Sequence, residues 1–216
     1  VEKGYGDVKF VAKGHGGHAS APGKNTPLVR LGKFMVDVEK HNPFKKQFNP
    51  TTKEMFRRMA PNMVFYMKMI FANMWLFEGL LTKVLSSISS AGGAMIQTTL
   101  AFTKAKGSDG FNVLPQEAWV TGNMRYIPHQ DADESIELIS NIAKKYNIET
   151  EVLYKDYACP VVDYNGAPFK LVEEVSAEIY PGVGICPYVM TGGTDAKFYR
   201  DLSDYCLRFA PIYITQ

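Results

Sequence analysis

Histidine and cysteine, the residues that most often ligate metals or act as nucleophiles, are scarce here: four and three among 216. Cys159, Cys186 and Cys206 form no C-x-x-C pair, which excludes a thiol-exchange motif and a cysteine-built zinc site. Their odd number and wide spacing fit a reducing compartment, so a cytoplasmic location is expected. There is no G-x-S-x-G elbow for a serine hydrolase, and Ser20 sits in a loop before a proline. An excess of either charge is missing too: 24 Lys and Arg face 22 Asp and Glu, without a long block of one sign. Neither a nucleic-acid partner nor an electrostatic membrane anchor is therefore expected. The longest apolar run, Met63 to Phe77, is broken by Lys68 and Asn73 and falls short of the roughly 20 residues of a spanning helix. Val1 to Gly6 has no initiator methionine, signal core or transit pattern, so the expectation is a chain cut from something longer.

What is present is enough apolar material for a real core, 46% hydrophobic and 12% aromatic. Asp7 to Lys13 alternates as a half-buried strand. Thr26-Pro27 then reads as a helix start, with Leu28, Leu31, Phe34, Met35 and Val38 at helical spacing. Ala94 to Thr103 and Glu117 to Ile127 read as strands. Asp131 with Glu134 opens an amphipathic helix carrying Ile136, Ile139, Ile142 and Ala143, and Ile148 to Val152 alternates again. The order is βαββαβ, so the expected class is α/β (α+β): a ferredoxin-like sheet with both helices on one face.

A helical insertion, about residues 43–93, interrupts this pattern and is dense in Met, Phe, Tyr and Trp. Its apolar residues circle the helix, which predicts one or two buried or docking helices, with a Met-rich binding or lipid-facing surface as the alternative. Beyond Pro160 the organisation changes. Pro168 starts a helix that Gly182 and Gly184 end, strands are expected at Tyr188 to Met190 and Tyr205 to Phe209, and a polar Gly-Gly turn leads into a helix. The expected domains are 1–160 and 161–216.

Three loci could carry chemistry. His15 and His18 lie in the loop Gly14-His15-Gly16-Gly17-His18-Ala19-Ser20-Ala21-Pro22, without further ligands at zinc-binding spacing. Asn112 and Arg125 combine an amide with a guanidinium fork, groups suited to a substrate carboxylate. Thr191-Gly192-Gly193-Thr194-Asp195 offers a backbone that a ligand can approach closely.

Taken in order, Gly16 to Pro22, Asn112-Val113-Leu114-Pro115, Arg125-Tyr126-Ile127-Pro128 and Thr191 to Ala196 resemble the lid and flanking motifs of the M20 metallopeptidase family of carboxypeptidases, aminoacylases and amidohydrolases. The insertion is similar to the longer lid of its carboxypeptidase-S-like branch. The resemblance implies a homodimerising lid followed by part of a catalytic domain, acting on a peptide or N-acyl amino acid. It implies that His18 reaches across the dimer to the developing oxyanion, that Asn112 and Arg125 hold the substrate carboxylate, and that Gly192, Gly193 and Thr194 line the pocket. Asp195 is expected to cap a helix. The family's two zinc ions would be held by ligands before Val1 and after Gln216, so no metal and no turnover are expected of this chain alone. The other reading is a non-enzymatic ferredoxin-like module binding a small ligand or RNA, for which Trp119 and Tyr126 are the available central-strand aromatics.

Overall fold

The computed structural model describes residues 1–209. They form a mixed helix and sheet structure whose contacts divide into two compact units. Gly4–Gln47 with Gln97–Ala158 make one, the sheet unit. Val1–Lys3, Phe48–Ile96 and the described residues from Cys159 make the other, the helical unit. These units differ from the expected division at residue 160. Here residues 48–96 group with the later segment, because Phe48, Met55, Phe56, Phe71, Met74 and Ile96 bury against one another with Cys186 packed on them.

In the sheet unit, β1 (Gly4–Lys13), the two-residue β2 (Gly17–His18) and α1 (Pro27–Lys40) come first. The helical unit inserts α2 (Pro50–Met59), α3 (Phe65–Ala72), α4 (Met74–Ile88) and α5 (Ser90–Ala94), where one or two helices were expected. The sheet unit resumes with β3 (Thr99–Lys106), β4 (Val113–Leu114), β5 (Glu117–Tyr126), α6 (Ala132–Lys145) and β6 (Glu149–Asp156). The main strands pair antiparallel in the order β3-β5-β1-β6. Inward residues of β1 and β5 (Val8, Phe10, Ala118, Val120, Met124) meet Leu31, Phe34 and Val38 of α1 and Ile139 and Ala143 of α6 in one core. Asp131 caps α6 by accepting the Glu134 N–H, and Lys144 and Lys145 close its last turn, where they complement the helix dipole.

The alternate residues of β1 and β5 (Tyr5, Asp7, Lys9, Trp119, Asn123, Arg125) stay half-exposed on the opposite face. Tyr126 belongs to the core and is fully buried, a burial that pushes its phenol pKa up. It therefore cannot stack on a base, which removes one of the two aromatics the RNA reading needs.

In the helical unit, Arg58 of α2 bonds Glu54 of its own helix and Glu173 of α7 (Ala167–Ile179), and lies over the Phe169 ring. Two strand expectations fail. Met190 makes a single bridge to Glu2 and Tyr205 to Phe209 stays irregular, because among the described residues no neighbouring strand pairs with either. The helix expected after the Gly-Gly turn is one short 3-10 turn, Asp195–Phe198. Its cap is Thr194, whose hydroxyl accepts the Ala196 N–H, and not Asp195.

Candidate functional site

His18 is held by the ribbon that β2 forms with β4, where Gly17 pairs with Leu114 and His18 with Val113. The ribbon is tied to the sheet by the Gly14 N–H on the Gln116 carbonyl at 2.7 Å, and to residue 112 by the Ala19 N–H on the Asn112 carbonyl at 2.9 Å. Gly16 and Gly17 adopt φ of 69° and 136°, backbone that side chains other than hydrogen rarely allow. This is where the glycine freedom is used, and it turns the chain so that the exposed His18 sits beside Asn112.

The Ser20 backbone N–H donates to His18 Nδ1 at 3.2 Å, with Ser20 Oγ 2.8 Å from the same nitrogen. An amide N–H can only donate, so Nδ1 is the acceptor and the neutral ring carries its proton on Nε2. The imidazole therefore presents an N–H donor outward. That is a suitable group for a developing oxyanion.

Arg125 sits elsewhere on the sheet unit. It pairs with Tyr5, whereas the end of β5 next to the His18 ribbon is Glu117, paired with Lys13. Eight residues of strand separate the two ends, about 26 Å at roughly 3.3 Å per residue. The structure brings His18 and Asn112 together and places Arg125 at the other end of β5.

The guanidinium carbon of Arg125 lies 4.5 Å from the centre of the Tyr5 ring, and its Nε–H donates to Asn123 Oδ1 at 3.2 Å. Asn123 Nδ2 donates to Asp7 Oδ1 at 2.8 Å, and the Tyr5 hydroxyl donates to Asp7 Oδ2 at 2.8 Å, which raises the Tyr5 pKa. This ring of four side chains fixes the fork. The two terminal nitrogens make no hydrogen bond among the described residues and can accept a planar anion.

The third locus lies in the helical unit. Thr194 gives both of its donors to Glu2: the backbone N–H to Oε1 at 2.9 Å and the hydroxyl to Oε2. Both donors are engaged within the protein, so Thr194 anchors the loop, and it also lines a cavity with Val1, Met190 and Arg208. The chain bends at Gly192 without a positive φ, and nothing lies within 4 Å of where a Cβ would be, so the position is open. Glu2 is 2% exposed and also accepts Arg208 Nε–H at 2.7 Å. Sequence reasoning singled out neither Glu2 nor Arg208. Only the buried position of a carboxylate directly before β1 could have flagged the first, and no local pattern marks the second.

Among the described residues no three of His, Cys, Asp or Glu come together, so the donor set present does not fit a zinc centre.

A peptidase dimerisation domain model matches residues 1–151. Human N-fatty-acyl-amino acid synthase/hydrolase PM20D1 is 31% identical over 99% of this chain and 43% of its own length. Carboxypeptidase S of Saccharomyces cerevisiae is 24% identical over 97% of this chain and 43% of its own length. The chain thus spans less than half the length of these curated relatives. Among solved structures, the M20 family metallo-carboxypeptidase Sso-CP2 from Sulfolobus solfataricus superposes with a TM-score of 0.57 at 17% identity, covering 91% of this chain and 54% of the other. The di-peptidase Dug1p from Saccharomyces cerevisiae gives 0.55 at 13% identity, covering 92% and 45%. At these identities the structural likeness speaks for the fold.

Proposed function

We propose, for a chain that belongs to the M20 peptidase dimerisation-domain family, that the sheet unit is the self-associating module of a peptidase or N-acyl-amino-acid hydrolase and contributes substrate contacts from both copies of a homodimer. The observation that carries this reading is the separation of the β2-β4 ribbon, which holds His18 beside Asn112, from Arg125 at the far end of β5. A single small substrate cannot reach both ends of a strand segment about 26 Å long. A second copy, turned about a two-fold axis, can supply the missing end.

The geometry supports the following roles. The free fork of Arg125 takes the carboxylate bidentately, and the Nε2–H of the other copy's His18 faces the carbonyl oxygen that becomes negative on attack, with the Asn112 amide beside it. The substrate class is an amide close to a free carboxylate. The names of the relatives, a carboxypeptidase and an N-fatty-acyl-amino acid hydrolase, support that class. In the helical unit, Glu2 fixes Thr194 so that the backbone around Gly192 and Gly193 stays available to line a pocket. No metal-dependent step is assigned to this chain, because its described residues form no donor cluster; zinc analysis and peptidase assay of the isolated chain should both read zero.

The self-association surface has two supports. β3 is an edge strand of the sheet with Ala101, Thr103 and Ala105 exposed, and α1 exposes Leu28, Val29 and Val36. The test is complementation in an enzyme that carries this chain as its dimerisation module. His18→Ala and Arg125→Ala copies should each be inactive, and mixing them should restore part of the activity by forming one intact site per hetero-pair. A mixture as inactive as its parents, with hetero-pairs shown by mass, overturns the shared-site reading. A strictly monomeric mass at high concentration overturns the homodimer.

A further inference from the structure

We propose that the outward face of α4 docks on an anionic lipid surface and lies along it without crossing it. The ridge Leu76, Leu80, Val84 and Ile88 repeats every four residues on one side of the helix, with Trp75 next to it. Those five side chains are 61%, 61%, 36%, 77% and, for Trp75, 81% exposed. On the inner side Met74 is buried, and Leu81 and Leu85 pack on the core of the helical unit. The helix is thus apolar towards its own unit and apolar outwards. Phe65, Tyr66 and Met69 of α3 are also more than half exposed. An isolated exposed leucine is ordinary on a protein surface, but a continuous apolar ridge with an open tryptophan marks a contact surface.

Length decides between lying on a bilayer and spanning it. α4 has 15 residues where a span needs about 20, and among the described residues no helix is long and apolar enough to cross. Interfacial helices combine apolar residues and Trp with flanking cations.

Charge decides between lipid and an apolar protein partner. From Met59 to Thr103 the only carboxylate is Glu78, and Lys53 holds it at 2.8 Å. Lys68 and Lys83 are exposed and form no ion pair among the described residues. Lys83, three residues after Leu80, lies beside the ridge, where its stem can lie on apolar surface while the ammonium reaches a phosphate. Two unpaired cations without a free carboxylate match a phosphate-bearing surface. The near-neutral balance of the whole chain hides this local asymmetry.

The test uses the 216-residue chain carrying Trp119→Phe, which leaves Trp75 as the only tryptophan. With vesicles of phosphatidylcholine and phosphatidylglycerol, the protein should float with the lipid, and Trp75 emission should shift to the blue and be quenched by brominated acyl chains. Leu76→Ser with Leu80→Ser should weaken binding about tenfold or more. Lys68→Gln and Lys83→Gln should each weaken it about fivefold, with little change on phosphatidylcholine alone. Failure to float, or binding that neither pair of substitutions changes, overturns the proposal. So does a blue-shifted Trp75 without lipid that follows a concentration-dependent dimer mass, because the ridge would then belong to a second copy.

Discussion

Glu2 and Thr194 stand 192 residues apart in the chain, yet both donors of Thr194 end on the two carboxylate oxygens of Glu2. The connection fixes the Gly-Gly loop through a residue that precedes the first strand. Arg208, with its side chain 16% exposed, completes a triad by donating to the same carboxylate.

Removing the acceptor strands three donors at once. Glu2→Ala should destabilise the helical unit by about 3 kcal/mol, since breaking a buried pair leaves an uncompensated charge. Thr194→Val, which removes one neutral donor to Glu2 and the cap on the Ala196 N–H, should lose less, about 1–2 kcal/mol. Urea unfolding followed by far-ultraviolet circular dichroism measures both. Equal losses for the two substitutions would show that the carboxylate is not the centre of the cluster.

Acid should weaken the same unit through a different carboxyl. Glu54 accepts two hydrogen bonds from Arg57 and one from Arg58, and those bonds, Arg57's first, hold its pKa at about 2 against an ordinary 4.5. The folded state therefore binds this proton later than the unfolded state as pH falls. The stabilisation is complete above pH 4.5 and disappears as pH drops through about 2. Because the Arg57 side chain is 68% exposed, solvent screening reduces the effect to about 1–2 kcal/mol. Glu54→Gln should flatten the stability profile over that interval, and an unchanged slope would assign the acid sensitivity to other carboxyls.

The His18 ribbon depends on backbone that only glycine adopts readily. Gly17→Ala places a Cβ at φ 136°, and Gly16→Ala adds a contact with Gln116 Cγ at 2.8 Å. Either should loosen the ribbon by about 1 kcal/mol or more. Hydrogen exchange of the Ala19 amide, bonded to the Asn112 carbonyl, should accelerate while amides within β1 keep their protection. Unchanged exchange at Ala19 would mean that the ribbon does not rely on these dihedrals.

The parts legible in the sequence are those whose signals are local. The cap at Asp131, the spacing of Leu31, Phe34 and Val38, and the alternation of β1 and β5 place α6, α1 and the central strands within a few residues of where they form. Strand ends were less legible. β3 begins at Thr99, where Ala94 was expected, because residues 90–94 close into a helical turn capped by Ser89. Tyr205 to Phe209 has the composition of a strand, but a strand exists only with a partner, and composition cannot supply one. At the site, single residues could be read but not their grouping. Nothing in the spacing of Asn112 and Arg125 shows that the first belongs with His18 and the second with Tyr5.

That grouping gives the carboxylate prediction its form. If Arg125 clamps an anion through its two terminal nitrogens, Arg125→Lys should fail almost as badly as Arg125→Ala, because an ammonium offers no planar fork. The loss should be about tenfold or more in affinity for an N-acyl amino acid, the scale of a charge-assisted hydrogen bond. Asn123→Ala releases the Nε that fixes the fork without removing the charge, so it should weaken binding less and leave the salt dependence in place. Isothermal titration of the chain and its variants separates the cases. Full affinity in Arg125→Lys would mean that only charge matters at this position, and the ring of Tyr5, Asp7 and Asn123 would then serve the sheet and not the ligand.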